Sequence, residues 1–181
     1  VRRTIILVVA ALSLMALAFA SPKQFYGGQV QKPWDVSLGA IIFVDDLDNA
    51  GFDAGFTAGI DYYHGYLGEN VMGFLGVRGW FASEASDDVT TYGIHYGIRA
   101  ALSQGAPQAG VFYLKAAGGY YRTQFTGSGL LPNDDEWGFG WFAGLGYEFT
   151  GGFTVEVGFQ GAPEVSGTNN RGWYGTVGFR F

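Results

Sequence analysis

Phe52-Asp53-Ala54-Gly55-Phe56-Thr57-Ala58-Gly59-Ile60-Asp61-Tyr62 repeats with a period of two. Its even positions carry Phe, Ala, Phe, Ala, Ile and Tyr, and its odd positions Asp, Gly, Thr, Gly and Asp. Successive side chains of a strand point to opposite faces, so the stretch predicts a strand with one apolar face and one polar or side-chain-free face. The same alternation recurs around it, with apolar rows from Val36 to Ile42, Val71 to Phe81, Tyr92 to Leu102, Phe112 to Tyr120, Trp137 to Tyr147, Phe153 to Phe159 and Trp173 to Phe181. Together these make eight segments, and no charge falls in any apolar row. The charges fall in the opposite rows: Asp53, Asp61, Arg78, Arg99, Lys115, Glu148, Glu156 and Arg180.

Which face is the core decides the fold class. A soluble sheet puts the apolar row inside, whereas a membrane barrel turns it toward lipid and the polar row toward the lumen. Three features favour the inverted arrangement. Large aromatics sit at both ends of the apolar rows: Phe52, Phe81, Tyr92, Tyr120, Trp137 and Trp173 at one end, and Tyr62, Phe112, Tyr147, Phe153 and Phe179 at the other. Such girdles form where amphipathic rings meet the headgroups. The polar rows are crowded with Gly (31 in the chain), which weakens a solvated strand but leaves room for long side chains in a narrow lumen. The inward charges also balance, with Asp53, Asp61, Glu148 and Glu156 against Arg78, Arg99, Lys115 and Arg180. Buried charges need such partners. The expectation is an all-β, eight-stranded antiparallel up-and-down transmembrane β-barrel.

The first twenty residues carry a different signal. Val1-Arg2-Arg3 precedes an apolar run from Ile5, and Ala18-Phe19-Ala20 has the small-x-small form of a cleavage site, which together predict a cleavable N-terminal signal helix. The expected division is residues 1–20 as signal peptide, 21–33 as a short periplasmic segment and 34–181 as the barrel. Loss of Arg2 and Arg3 would move the formal charge from −6 to −8. The absence of Cys excludes disulfide staples and a lipid-modified N-terminal Cys. A pI near 4.7 argues against nucleic acid as a partner.

This pattern resembles the small eight-stranded outer-membrane β-barrel proteins of the OmpA/OmpX type over Trp34–Phe181, as architecture rather than close sequence match. The most specific element is the ending Trp173-Tyr174-Gly175-Thr176-Val177-Gly178-Phe179-Arg180-Phe181. The resemblance implies that the barrel-assembly machinery reads this last strand through Trp173, Val177, Phe179 and Phe181. It also implies localisation in the bacterial outer membrane among lipids and lipopolysaccharide, and no peptidoglycan-binding domain is expected after Phe181.

With both barrel ends periplasmic, the outward connections are expected at Asp45–Gly51, Ala82–Asp88, Thr123–Glu136 and Gly161–Gly172. Acids crowd them: Asp45, Asp46, Asp48, Glu84, Asp87, Asp88, Asp134, Asp135 and Glu136, with Glu164 beside them and only Arg122 and Arg171 opposed. On the periplasmic side Asp35 and Glu69 cancel Lys23 and Lys32. Asp46-Leu47-Asp48-Asn49-Ala50-Gly51 begins like a calcium loop but has Ala50 at its fifth position and Thr57 at its twelfth, where an EF-hand needs a Glu. A cation-bridged contact with lipopolysaccharide is the sharper reading of these acids, and a solvated turn the plainer one.

No catalytic residue, metal ligand set or cofactor is expected. Gly138-Phe139-Gly140-Trp141-Phe142-Ala143 spells a dinucleotide fingerprint but lies within a strand pattern instead of opening a helix. His64 is expected in a periplasmic turn and His95 in the lumen network. The lipid A deacylases among such barrels carry a His-x-Ser arrangement, and here Tyr66 and Gly97 stand where that Ser would be. The first expectation is therefore a non-enzymatic barrel with a structural or surface-interaction role, its lumen closed by the charge network. The alternatives are a narrow ion-conducting pore, a lipid-modifying enzyme and a soluble periplasmic β-barrel binder.

Overall fold

The computed structural model describes residues 32–102, 110–128, 131 and 133–181. The expected signal peptide, most of the 21–33 segment and the 103–109 connection lie outside them. Eight strands follow in order: β1 (Trp34–Phe43), β2 (Ala54–Gly68), β3 (Val71–Glu84), β4 (Asp87–Ala101), β5 (Val111–Gly127), β6 (Asp134–Glu148), β7 (Phe153–Val165) and β8 (Thr168–Arg180). One short helix, α1 (Asp46–Asn49), lies between β1 and β2. Each strand pairs antiparallel with its sequence neighbours, and β1 pairs with β8 to close the barrel. Trp34 N–H donates to Phe181 C=O at 3.0 Å, and Phe181 N–H donates back at 2.9 Å. The two barrel ends therefore lie at one rim, and α1 lies at the other.

The faces are inverted as the alternation predicts. Leu38, Ile94 and Val157 are 50%, 61% and 59% exposed on the outer wall, while Asp61, His95 and Arg99 are 1–2% exposed inside. At its α1 end the interior holds an apolar cluster that includes Ile41, Phe43, Trp80, Val89, Tyr121 and Phe125, capped by Leu47 of α1 and by Phe52. Toward the terminal rim it holds Tyr63, Met72, Phe74, Phe142 and Tyr174, with the charged side chains among them.

Phe52 and Asp53 depart from the expectation. Phe52 is 2% exposed within the interior cluster and so does not face lipid, and Asp53 is exposed and so does not belong to the lumen network. The cause is the α1 connection. Gly51 turns with φ +91°, and Phe52 N–H donates to Leu47 C=O at 2.9 Å. This folds the segment over the mouth, so strand parity begins only at Ala54.

Two of the expected outer connections are tight turns instead of loops. The β3–β4 and β7–β8 strands run on to two-residue turns at Ala85–Ser86 and Ser166–Gly167. Ser166 (φ 49°) and Gly167 (φ 84°) both have positive φ, the conformation whose twist matches a hairpin. Asp87 and Asp88 accordingly lie on β4, and Asp134, Asp135 and Glu136 on β6. His64 lies on β2, outside the turn expected for it, with Nε2 3.2 Å from the Tyr96 hydroxyl. Continued pairing satisfies backbone groups beyond the girdle, which is why polar sequence there does not mean loop. Pro163 falls where β7 shifts register against β8 between Ala162 and Val165 and where pairing to β6 has ended at Trp141↔Gly161. A residue without N–H fits such an interruption.

Inward glycines make room for rings as well as for charges. The Tyr121 ring lies between Gly93 and Gly140, and a Cβ at either would stand 2.5 Å from a ring carbon. A Cβ at Gly97 would stand 2.5 Å from Phe74 Cζ. On the outer wall Gly175 faces open space. Gly93→Val or Gly140→Val should therefore destabilise the barrel by about 1–3 kcal/mol through overpacking, and Gly175→Val should not. Urea unfolding midpoints in detergent, followed by the gel shift between unboiled and boiled samples, would check this; equal midpoints for all three would refute the fit.

Candidate functional site

The charged side chains of the lumen come from strands on all sides. Inward parity places Asp35 on β1, Asp61 on β2, Arg78 on β3, His95 and Arg99 on β4, Lys115 on β5, Glu148 on β6, Glu156 on β7 and Arg180 on β8. Asp61 is the hub. Its Oδ2 accepts from Lys115 Nζ at 2.7 Å, and its Oδ1 lies 2.7 Å from His95 Nε2. The other ring nitrogen of His95, Nδ1, lies 3.0 Å from the Tyr121 hydroxyl. Lys115 also lies 3.7 Å from Asp35 and 3.8 Å from Glu156. Arg78 approaches Glu156 at 3.7 Å, and Tyr174 donates its hydroxyl proton to Glu156 at 2.7 Å.

A second group sits closer to the terminal rim. Glu148 accepts from Arg99 at 2.6 Å and from Arg180 at 3.2 Å. Aromatic faces carry the cations: Arg99 lies 3.7 Å from the Tyr113 ring centre, Arg180 4.7 Å from that of Tyr63, and Arg78 3.9 Å from that of Phe142. Cations over ring faces are attracted by the ring quadrupole, more strongly where water is excluded. Above the charges, Asn170 bridges the strands. It accepts from Trp80 Nε1 at 3.0 Å and donates to the Thr91 and Thr123 hydroxyls at 2.6 and 3.2 Å.

Asp53 is absent from this group, and Asp35 stands in its place. Asp35 is 3% exposed in the lumen and is not a free periplasmic charge; Tyr63 Oη lies 3.5 Å from its Oδ2. Four acids, Asp35, Asp61, Glu148 and Glu156, thus face four bases, Arg78, Arg99, Lys115 and Arg180. Strand parity could have found Asp35 and Tyr63, since both continue inward rows already identified by their neighbours. No sequence signal could have paired Asp61 with Lys115, which lie on strands that do not touch in the sheet.

The α1 rim holds the acidic residues, partly neutralised. Arg171 donates to Asp45 at 2.5 Å. The Arg122 Nε donates to Asp135 at 3.0 Å, and Ser166 Oγ donates to Asp134. Asp46 accepts from both the backbone N–H and the side-chain amide of Asn169, at 2.9 and 2.8 Å, and these bonds hold its carboxyl below the usual carboxylate range. Asp87 is buried. Asp48, Glu84 and Glu136 are exposed and Asp88 half-buried. Among the described residues, no three acidic or imidazole side chains converge with the spacing of a metal site. Of the expected assembly signal, Trp173, Val177 and Phe179 on β8 and Phe181 just after it are all exposed on the outer wall.

Comparison with known proteins places this geometry. No curated protein matches the chain. Among solved structures it is similar to Ail, the attachment invasion locus protein of Yersinia pestis, at 14% identity over 84% of this chain and 100% of that one, with a TM-score of 0.52. It is also similar to Neisserial surface protein A, at 18% identity over 81% of this chain and 93% of that one, with a TM-score of 0.55. These likenesses are of fold. The model of the outer membrane protein β-barrel domain matches residues 4–181. A closed eight-stranded barrel with an apolar outer wall and a match over nearly its whole length, the chain belongs to that family and resides in the bacterial outer membrane.

Proposed function

We propose that the protein is a non-enzymatic outer-membrane barrel whose filled lumen closes it and whose acidic rim makes surface contacts. The observation that carries this reading is the stacking of two tiers inside the wall, with the apolar cluster under α1 above the four-against-four charge network. Residence in lipid sets aside a soluble lipocalin-type binder. Lack of enzymatic activity is supported by the histidines. His95 has both ring nitrogens engaged inside the wall, out of reach of lipid, and His64, on the outer wall against Tyr96, has Tyr66 where a deacylase Ser would stand.

The α1 rim faces the cell exterior in this reading. Ail has been solved with the heparin analogue sucrose octasulfate. An acidic rim here repels a polysulfate and favours a cationic partner, or divalent cations shared with lipopolysaccharide phosphates. Such cation contacts would be single-carboxylate ones at exposed Asp48, Glu84 or Glu136. The outward residues Trp173, Val177, Phe179 and Phe181 are proposed as the strand that the assembly machinery reads.

A narrow ion-conducting pore is the second reading. Arg78 Nη1 and Nη2 and the amide atoms of Gln160 are buried without a hydrogen-bond partner among the described residues. Groups of this kind are satisfied by water, and a file of water through the network would conduct.

Planar-bilayer recording separates the two. The closed reading expects no conductance steps from the wild-type protein, and steady wild-type conductance would replace it with the pore. Asp61→Ala strands Lys115 and is expected to lower stability by about 3–5 kcal/mol, read as a lower urea midpoint, whereas Asp53→Ala should leave the midpoint unchanged. Because the chain has no cysteine, Ser86→Cys and Ser166→Cys on intact cells give a clean test of orientation. A membrane-impermeant maleimide should label both, and labelling only after the outer membrane is breached would reverse the assignment. Phe181→Ser should reduce the amount of folded barrel in the outer membrane without changing its urea midpoint once refolded in detergent.

A further inference from the structure

The outer wall is not uniform. One cross-strand row reads Leu38–Ala58–Gly79–Tyr92–Arg122–Trp137, each residue paired with the next. The two smallest side chains, Ala58 and Gly79, are neighbours within it. The row on the α1 side carries Phe56 opposite Phe81, and the row on the terminal side carries Ile60, Val77 and Ile94 in register. The two small residues leave a trough walled by the large residues of the terminal-side row, with Phe56 and Phe81 outside its lining. It is a cavity of about 610 Å³ open to the outer face, lined by Leu38, Ala58, Val77, Ile94, Tyr120 and Trp137 among others.

Just beyond the aromatic end of the trough is a polar group, Arg122, which lies between the lining residues Tyr92 and Trp137. Tyr120 stacks on Trp137 with ring centres 5.5 Å apart, and Tyr92 meets Trp137 edge-on at 6.2 Å. Arg122, between Tyr92 and Trp137 in the row, donates from Nη1 to the Tyr92 hydroxyl at 3.0 Å and from Nε to Asp135 at 3.0 Å. A guanidinium carries five N–H donors, so Nη2 and one Nη1 hydrogen are not used by these two bonds. Arg122, paired with Asp135, and Arg171, paired with Asp45, are the two bases among the acids of the α1 rim. An apolar slot one residue wide that runs into a cation at the girdle is complementary to a single acyl chain bearing an anionic head.

We propose that this trough seats one acyl chain of a phosphorylated outer-leaflet lipid, with Arg122 holding the phosphate. The choice of leaflet rests on the proposed orientation, since Arg122 lies toward the α1 rim. The chain itself is recognised by shape: Ala58 and Gly79 form the floor, and the Tyr92, Tyr120 and Trp137 rings frame the headgroup end. Arg122 reads the phosphate as a fork of donors, the geometry in which Arg binds that group best.

Native mass spectrometry of the detergent-solubilised full barrel tests this, with lipid A, dephosphorylated lipid A and phosphatidylethanolamine offered separately at equal concentration. The expected result is one lipid A retained per barrel and less of the other two. Arg122→Ala should weaken retention about tenfold, as loss of one charge-assisted hydrogen bond does, and Arg122→Lys should recover part of it. Ala58→Trp should block the slot. Val157→Trp, on the lipid-facing row of β7 where Val157 is 59% exposed, should retain lipid A like the wild type. Each variant is first checked for the wild-type gel shift. Equal retention of all three lipids, or unchanged retention by Ala58→Trp, would overturn the proposal. So would a dimer abolished by Ala58→Trp, which would make the trough an interface between copies. Preference for phosphatidylethanolamine that depends on Arg122 would overturn the outer-leaflet assignment. The cysteine labelling above decides orientation independently, and bilayer recording decides the lumen.

Discussion

A backbone N–H or C=O left unpaired in hydrocarbon costs several kcal/mol, and only closure of the sheet on itself removes the edge strands. Pairing of β1 with β8 from Asp35↔Arg180 to Phe43↔Gly172 meets this requirement. The remaining features answer to that closure. Eight strands bent into a ring enclose a space just wide enough for side chains, so whatever faces inward must pack there. The inward row carries charges because the outward row, in lipid, cannot.

Charges enclosed this way must neutralise one another locally. Asp61 satisfies Lys115 and His95 together, Glu148 satisfies Arg99 and Arg180, and aromatic faces take up much of the remaining cation surface. Glycine is what makes the arrangement fit. Where Tyr121 crosses the lumen, its neighbours on both sides are Gly93 and Gly140. The inward glycines and the inward aromatics of this chain thus go together, since inward rings need bare backbone beside them, while the outward aromatics form the girdles. On the outer wall the same economy of side chains has another effect: Ala58 beside Gly79 opens a trough whose row continues through Tyr92 to Arg122.

The α1 rim shows how far pattern reading extends. Polar stretches at Ala82–Asp88 and Gly161–Gly172 read as loops, yet the strands continue through them to two-residue turns. Hairpins beyond the membrane satisfy the backbone with no demand on side-chain polarity, so composition there carries little information about pairing. At Phe52 and Asp53 the parity was legible but misleading. Those two residues belong to the segment that caps the mouth, and Leu47 and Phe52 are buried by tertiary contact with Ile41, Phe43 and Trp80, not by position on a strand.

Alternation by itself determined the fold class, the inversion of the two faces and most of the charged inward row, because a period of two is a local property and a lipid-facing row keeps charge out of the hydrocarbon, Arg122 on that face lying only at the girdle. Asp35 reads in sequence as a periplasmic charge, and the closed barrel shows that it continues the inward row of β1. Only the tertiary structure decided which charges meet. Asp61 and Lys115 lie on β2 and β5, and Arg78 on β3 reaches Glu156 on β7, across the lumen instead of along the sheet. Ring closure brings such strands face to face, and the side of the lumen on which each charge lies depends on the register of all eight pairings at once. No single segment contains that information.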